Sequence, residues 1–142
     1  MILPDINLLI YAHNTRANYH SETLRWWNQC LQGPDGVALA WVVVLGFVRL
    51  TTHPKVFANP MIVAGALGRV EEWLSLPHVQ LVHPPRTHFQ TWSGLLNRVG
   101  TAANLTTDAH LAALAIDRDL ILCTTDGDFG RFPGLKWRNP LE

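Results

Sequence analysis

Short apolar runs alternate along the chain with longer amphipathic segments, and the runs have the length of buried strands. Apolar runs of this kind are typical of parallel strands that are covered on both faces. The candidate strands are Ile2 to Asp5, Val37 to Ala40, Val79 to Val82 and Leu120 to Cys123, with Leu135 to Trp137 as a candidate edge strand.

The segments between these runs carry the spacing and the punctuation of helices. Ser21 is a candidate cap, Pro60 suits the first turn of a helix, and Gly100 lies just beyond the end of another. A helix is predicted to start after Asp5, and the others are Ser21 to Gln32, Trp41 to Leu50, Pro60 to Leu76, Arg86 to Val99 and Leu105 to Asp117.

Strands that alternate with helices predict an α/β fold. We expect three layers, with a mostly parallel central sheet of four to five strands between helices. No repeat, linker or low-complexity segment divides the chain, so residues 1–142 are predicted to form a single domain. In such sheets the functional crevice lies beyond the carboxyl ends of the strands.

Charge and cysteine content narrow the functional classes. The chain has 11 basic and 11 acidic residues and no formal net charge, so any contact with nucleic acid must be local. Cys30 and Cys123 lie in apolar contexts and are predicted to be buried thiols rather than a disulfide pair. The amino terminus lacks a basic signal-peptide region, and no apolar run approaches the roughly 18 residues of a membrane span. We therefore expect a cytoplasmic protein.

Three acidic residues occupy positions that are not predicted to be ordinary exposed surface. Asp5 and Asp126 follow apolar strands, and Asp108 lies in the first turn of a helix, on the same face as Leu111 and Ala112. Each could be a cap or a helix-start charge, but the topology brings all three to one end of the sheet. The remaining acids are predicted to lie on helix surfaces, in a turn or in the tail, and include Glu22, Asp35, Glu71, Glu72, Asp117 and Glu142.

Carboxylates that converge in this way need a counter-charge. At about 4 Å, each pair repels by roughly 4 kcal/mol at an effective dielectric near 20. Oxygen ligands favour a hard ion, Mg²⁺ or Mn²⁺. The sequence contains no zinc-spaced histidine and cysteine set, no glycine-rich phosphate loop and no Gly-x-Ser-x-Gly motif.

The order of these motifs resembles the PIN-domain ribonucleases, and in particular the VapC-type toxins of bacterial toxin–antitoxin pairs. The motifs that carry the resemblance are Leu3 to Leu9, Thr107 to Ala112 and Thr124 to Phe129. The resemblance implies a PIN-like fold and an Mg²⁺-dependent endoribonuclease that cleaves RNA and is neutralised by a VapB-type antitoxin. It also implies a homodimer.

The resemblance further assigns roles to individual residues. Asp5, Asp108 and Asp126 match the catalytic, metal-binding acids, and Asp128 matches an additional ligand. Asn7, Thr107 and Thr125 are the polar neighbours expected to support those ligands. Candidate RNA-binding residues near the crevice are Arg16, Arg49, His53, Lys55 and Arg131.

Gly46 departs from the family pattern. Many relatives carry a Glu at the matching helix position, while a subgroup has Gly-Phe-x-Arg there, as this chain does at 46–49. The number of bound metal ions therefore stays open. Gly46 and the zero net charge keep one alternative, a non-catalytic PIN scaffold that binds RNA or protein. A nuclease of RNA maturation is the other alternative.

Trp26 and Trp27 are adjacent on one predicted helix, so they cannot both face the same side. One of them is expected to stay accessible to a partner, unless both serve as core or dimer contacts. In the family, the carboxy-terminal segment of the antitoxin lies along the toxin. We expect it to present an Arg or Lys to Asp5, Asp108 and Asp126 and so replace the charge of the metal.

Overall fold

The computed structural model describes residues 1–142 and contains one five-stranded sheet in which every paired strand is parallel. The strand order is β3-β2-β1-β4-β5, so the chain reverses its direction of travel across the sheet on either side of β1. The carboxyl ends of β1 and β4 meet at this switch point, which is where a crevice opens in sheets of this type. The strands are β1 Ile2–Pro4, β2 Val37–Ala40, β3 Val79–Val82, β4 Ile121–Cys123 and β5 Trp137–Arg138.

Six helices form the outer layers. Because parallel crossovers are right-handed, connections that run in opposite directions across the sheet place their helices on opposite faces. The packing agrees: α1 contacts α2 and α3, α3 contacts α4, and α5 contacts α6. The helices are α1 Ile6–His13, α2 His20–Gln32, α3 Trp41–Thr51, α4 Val63–Ser75, α5 His88–Val99 and α6 Thr106–Asp117.

Two predicted helix starts are wrong. Ser21 lies inside the first turn of α2, and the residue before that helix, Tyr19, provides no side-chain cap. Pro60 lies outside α4, which begins at Val63. The backbone N–H of Met61 donates to the carbonyl of Thr51 at 2.8 Å, so the chain here is tied to the end of α3 before it can turn into a helix.

The core forms between the sheet and both helical layers. Leu3, Leu39 and Leu122, from the three central strands, are fully buried. Cys123 is buried and Cys30 is half-buried, and both are free thiols. Burial raises the pKa of the Cys30 thiol to about 11, so the thiol stays protonated and is a weak nucleophile at neutral pH. None of the helices combines the length and the apolar character needed to cross a membrane.

Candidate catalytic site

Asp5 is held in a single position at the end of β1. Its backbone N–H donates to the carbonyl of Cys123 on the neighbouring strand at 2.9 Å. Its carboxylate is 7% exposed and accepts hydrogen bonds from the N–H of Ile6 at 2.7 Å and the hydroxyl of Thr124 at 2.8 Å. Burial raises its pKa, and repulsion from Asp126 adds to the effect. Asp5 is therefore both the cap of α1 and a member of the acidic cluster.

Thr124 connects the two strand-end acids. Its buried hydroxyl donates to Asp5 and accepts from the backbone N–H of Asp126 at 3.0 Å. Asp126 in turn accepts from the N–H of Asp128 at 2.9 Å. Sequence reasoning overlooked Thr124, although it is the first polar side chain after a strand buried on both faces and so had to find a partner.

Asp108 completes the group from the other helical layer. It lies in the first turn of α6, is half-buried and makes no hydrogen bond with its carboxylate. Burial is the largest cause that raises the pKa of Asp108 to about 6, and repulsion from Asp5, Asp126 and Asp128 contributes less. Electrostatic repulsion therefore reaches Asp108 from all three other predicted acids, and a nearby cation would relieve it.

The spacing of the group bears on which metal it fits. No three His, Cys, Asp or Glu side chains lie close enough together to enclose an ion, so the carboxylates are more widely spaced than the sequence suggested. We call this open group, Asp5, Asp108, Asp126 and Asp128, the acidic cluster. Mg²⁺ keeps several of its waters and is usually held by one or two carboxylates rather than by a closed protein cage. An open set of oxygen donors with unrelieved negative charge fits such a hydrated hard ion.

The predicted supporting residues are placed less tightly. Asn7 and Thr107 are exposed and Thr125 is half-buried, and none of their side chains makes a hydrogen bond within the protein. The predicted RNA-binding residues are all exposed and none is in an ion pair with an acid: Arg16, Arg49, His53, Lys55 and Arg131.

Gly46 lies where α3 passes close to α1. It is buried, and a Cβ added there would meet the side chain of Ile6 at 3.3 Å. Ile6 directly follows Asp5, so a side chain at position 46 would start against the neighbour of Asp5 in the chain. It would first have to displace Ile6 by a few tenths of an ångström.

The fold and the sequence similarity define a family. A model of the PIN domain matches residues 2–135 of the chain, and the chain therefore belongs to the PIN-domain family. Ribonuclease VapC37 of Mycobacterium tuberculosis is 43% identical over 140 residues, which cover 99% of this chain and 97% of the relative. Ribonuclease VapC33 of the same organism is 42% identical over 142 residues, covering 100% of this chain and 99% of the relative. The predicted resemblance to VapC ribonucleases is confirmed.

Solved structures agree with the fold. The VapBC2 complex of Rickettsia felis, bound to a DNA fragment from its promoter, aligns with a TM-score of 0.67 at 18% identity, covering 98% of both chains. VapC20 of Mycobacterium tuberculosis, described as a sarcin–ricin loop cleaving toxin, aligns with a TM-score of 0.66 at 18% identity, covering 96% of this chain and 99% of that one. The predicted PIN-like architecture with its parallel central sheet is confirmed.

Proposed function

We propose that this chain is the toxin ribonuclease of a type II toxin–antitoxin pair and that it cleaves RNA phosphodiester bonds with the help of a bound Mg²⁺ or Mn²⁺ ion. The observation that carries the proposal is that Asp5 and Asp126, at the switch point of the sheet, lie near enough to Asp108 for their repulsion to help raise its pKa to about 6. The similarity to VapC ribonucleases along almost the whole chain supports the same reaction.

The three acids and Asp128 would hold the ion. When bound, it supplies an activated water and offsets charge that develops on the phosphate. Asp5 contributes a rigid carboxylate, because Ile6 and Thr124 both donate to it. Asp108 contributes one that is free of hydrogen bonds and able to turn toward an incoming group. The acids that follow β1 and β4 would thus fix the position of the ion, while Asp108 of α6 would supply an adjustable ligand.

RNA binding needs local positive charge, since the whole chain has none in excess. The four exposed cations and the one histidine predicted from the sequence are available for this because no acid pairs with them. Asn7, Thr107 and Thr125 remain candidates for holding waters or RNA near the ligands.

The proposal includes a VapB-type antitoxin, a homodimer and a cytoplasmic location. Complexes of VapB and VapC proteins, some with DNA, are among the similar structures. Trp27 is 1% exposed and Trp26 is half-buried, so Trp26 is the more accessible of the pair. We expect Trp26 to contact the antitoxin, and a basic side chain of the antitoxin to reach Asp5, Asp108 and Asp126.

The test is cleavage of RNA by the purified protein with Mg²⁺, with chelator, and by three variants. Asp5→Asn and Asp108→Asn should abolish cleavage, and also growth inhibition when expressed without antitoxin, because each removes an anionic ligand. Asp35→Asn changes an exposed turn residue in the same way and should leave both unchanged. Cleavage that persists in chelator, or in folded Asp5→Asn, would refute the metal site. RNA binding without any cleavage would support the scaffold alternative instead.

A further inference from the structure

A second feature lies beside the acidic cluster, between α5 and the start of α6. It is a pocket of about 400 Å³, lined by His88, Phe89 and Trp92 of α5 and by Thr107 and His110 of α6, among others. No lysine or arginine lines it, so its chemistry does not suit a phosphate. We call this the α5–α6 pocket.

Two aromatic rings form its open wall. Phe89 is 70% exposed, an unusual position for a large apolar side chain. Its ring centre lies 5.8 Å from that of Trp92 at an angle of 51°. The indole N–H of Trp92 donates to the carbonyl of Thr106 at 3.0 Å, which fixes Trp92 against the start of α6 and leaves Phe89 free on the outside.

A chain of hydrogen bonds fixes the imidazole wall. Asp117 accepts from Nδ1 of His88 at 3.3 Å and from the hydroxyl of Thr91 at 2.7 Å, and Nε2 of His88 lies 2.8 Å from Nδ1 of His110. Because the Asp117 carboxylate can only accept, Nδ1 of His88 carries a proton. In the neutral rings, Nε2 of His88 then accepts from Nδ1 of His110, and Nε2 of His110 is left as a hydrogen-bond acceptor. This sequence of donors and acceptors gives each ring a fixed orientation.

That acceptor is available to a ligand. Nε2 of His110 makes no hydrogen bond within the protein, and the indole nitrogen of Trp27 is the one buried side-chain nitrogen or oxygen without a partner. Nε2 of His110 is therefore open to solvent. The pocket thus offers aromatic faces together with a fixed nitrogen acceptor.

The pocket and the acidic cluster share one turn of helix. Thr107 and His110 are three residues apart and lie on the same side of α6, while Asp108 is one step round the helix from Thr107. At 1.5 Å of rise per residue, the three span only about 5 Å along the helix axis. Asp108 and His110 point about 200° apart around the helix, so Thr107, which lines the pocket and adjoins Asp108, is the link between the two. A nucleotide whose phosphate reaches Asp108 would have to pass over Thr107 to place its base in the pocket.

We propose that the α5–α6 pocket binds a nucleobase of the RNA next to the scissile phosphate, with Phe89 and Trp92 stacking on the base and Nε2 of His110 accepting from one of its N–H groups. The proposal rests on the proposed ribonuclease function and adds the part of the substrate that the acids do not contact. Stacking on aromatic side chains and hydrogen bonding to exposed base edges are the usual means of binding single-stranded RNA.

The test compares Phe89→Ala with wild type in binding short fluorescein-labelled oligoribonucleotides of A, C, G or U, by fluorescence anisotropy in chelator. Because Phe89 is largely exposed, its removal should not unfold the protein. We expect about tenfold weaker binding to at least one of the four, equivalent to about 1.4 kcal/mol and within the range for loss of one stacked base. Phe89→Tyr should restore binding.

Two controls isolate the base. Ile62→Ala removes an equally exposed apolar side chain, 75% exposed, from the start of α4, and it should bind like wild type. An oligomer with the same sugar–phosphate backbone and no bases should bind wild type and Phe89→Ala equally, because it offers nothing to stack. A loss that is the same with and without bases would overturn the proposal.

Other outcomes are also decisive. If Phe89→Ala binds every base-bearing oligomer like wild type, the pocket does not bind a base. A change in antitoxin affinity, or in the oligomeric state measured by sedimentation, would not alter that conclusion. Cleavage by wild type with Mg²⁺ is scored separately: a protein that cleaves while Phe89→Ala shows no change keeps the proposed function and loses the pocket. Wild type that binds none of the oligomers overturns the pocket as well.

Discussion

Replacing Asp108 with Asn should stabilise the metal-free protein, even though it removes a functional side chain. The Asp108 carboxylate makes no hydrogen bond within the protein, so Asn loses no partner there. What the substitution removes is a negative charge that is partly buried and repelled by Asp5, Asp126 and Asp128. The charge is neutralised with little change in side-chain size.

The magnitude follows from the pKa. The Asp108 carboxyl moves from its ordinary 3.8 to about 6, and a pKa difference of about 2 corresponds to about 3 kcal/mol as an upper bound. Asp108 is only half-buried, so water and salt screen much of this cost, and about 1 kcal/mol is the expected gain. For a chain of this size, that raises the melting temperature by roughly 3 °C.

The cost of the Asp108 charge to the stability of the folded protein should depend on pH. Above about pH 6, Asp108 is ionised in both folded and unfolded protein, and the folded protein bears the full cost. As the pH falls from about 6 to below 3.8, the folded protein keeps the proton that the unfolded chain has lost, and the cost disappears. Thermal melts of wild type and Asp108→Asn in chelator, from pH 8 down to pH 4, should therefore converge.

Asp5→Asn is the matched comparison. Two donors, Ile6 N–H and the Thr124 hydroxyl, point at the Asp5 carboxylate, and an amide with one oxygen cannot serve both. We expect no stabilisation from this variant. Equal gains at pH 8 and pH 4, or no gain for Asp108→Asn at any pH, would refute the electrostatic account of Asp108. With saturating Mn²⁺ the order should reverse, because the ion stabilises wild type and not Asp108→Asn.

Three further predictions concern the surroundings of the site. Thr124→Val should cost about 1–3 kcal/mol of stability by leaving the N–H of Asp126 unpaired, and should weaken Mn²⁺ binding about 10-fold or more in calorimetric titration. Thr124→Ser should retain both the stability and the Mn²⁺ affinity. Unchanged Mn²⁺ affinity in Thr124→Val would show that Thr124 does not support the metal ligands. Gly46→Glu should tighten Mn²⁺ binding relative to Gly46→Ala if the added carboxylate passes Ile6 toward the cluster, whereas aggregation of Gly46→Glu alone would show that position 46 faces the core. Trp26→Ala should reduce antitoxin affinity in a pull-down titration without changing RNA cleavage, and unaltered affinity would place the docking surface elsewhere.

The local sequence pattern was enough to predict most of the strands and helices and to single out Asp5, Asp108 and Asp126. Val37–Ala40 and Val79–Val82 were predicted to the residue, because a short apolar run between turn residues has few alternatives to a buried strand. Asp5 and Asp126 were recognised because a carboxylate that follows such a run within a few residues lies at the carboxyl edge of a parallel sheet. Their convergence required only the rule that these edges coincide.

Contacts between distant segments decided the rest. Asp117 was predicted to be exposed on a helix end, yet its side chain is 9% exposed because His88 and Thr91 of α5 pack onto it. Thr124 bridges Asp5 and Asp126 only because β1 and β4 are neighbours although their residues are more than a hundred positions apart. The start of α4 and the α5–α6 pocket depend in the same way on which elements pack together. Sequence periodicity shows which face of its own helix or strand a residue lies on. It does not show which residue of another helix or strand packs against that face, because this depends on the tertiary fold.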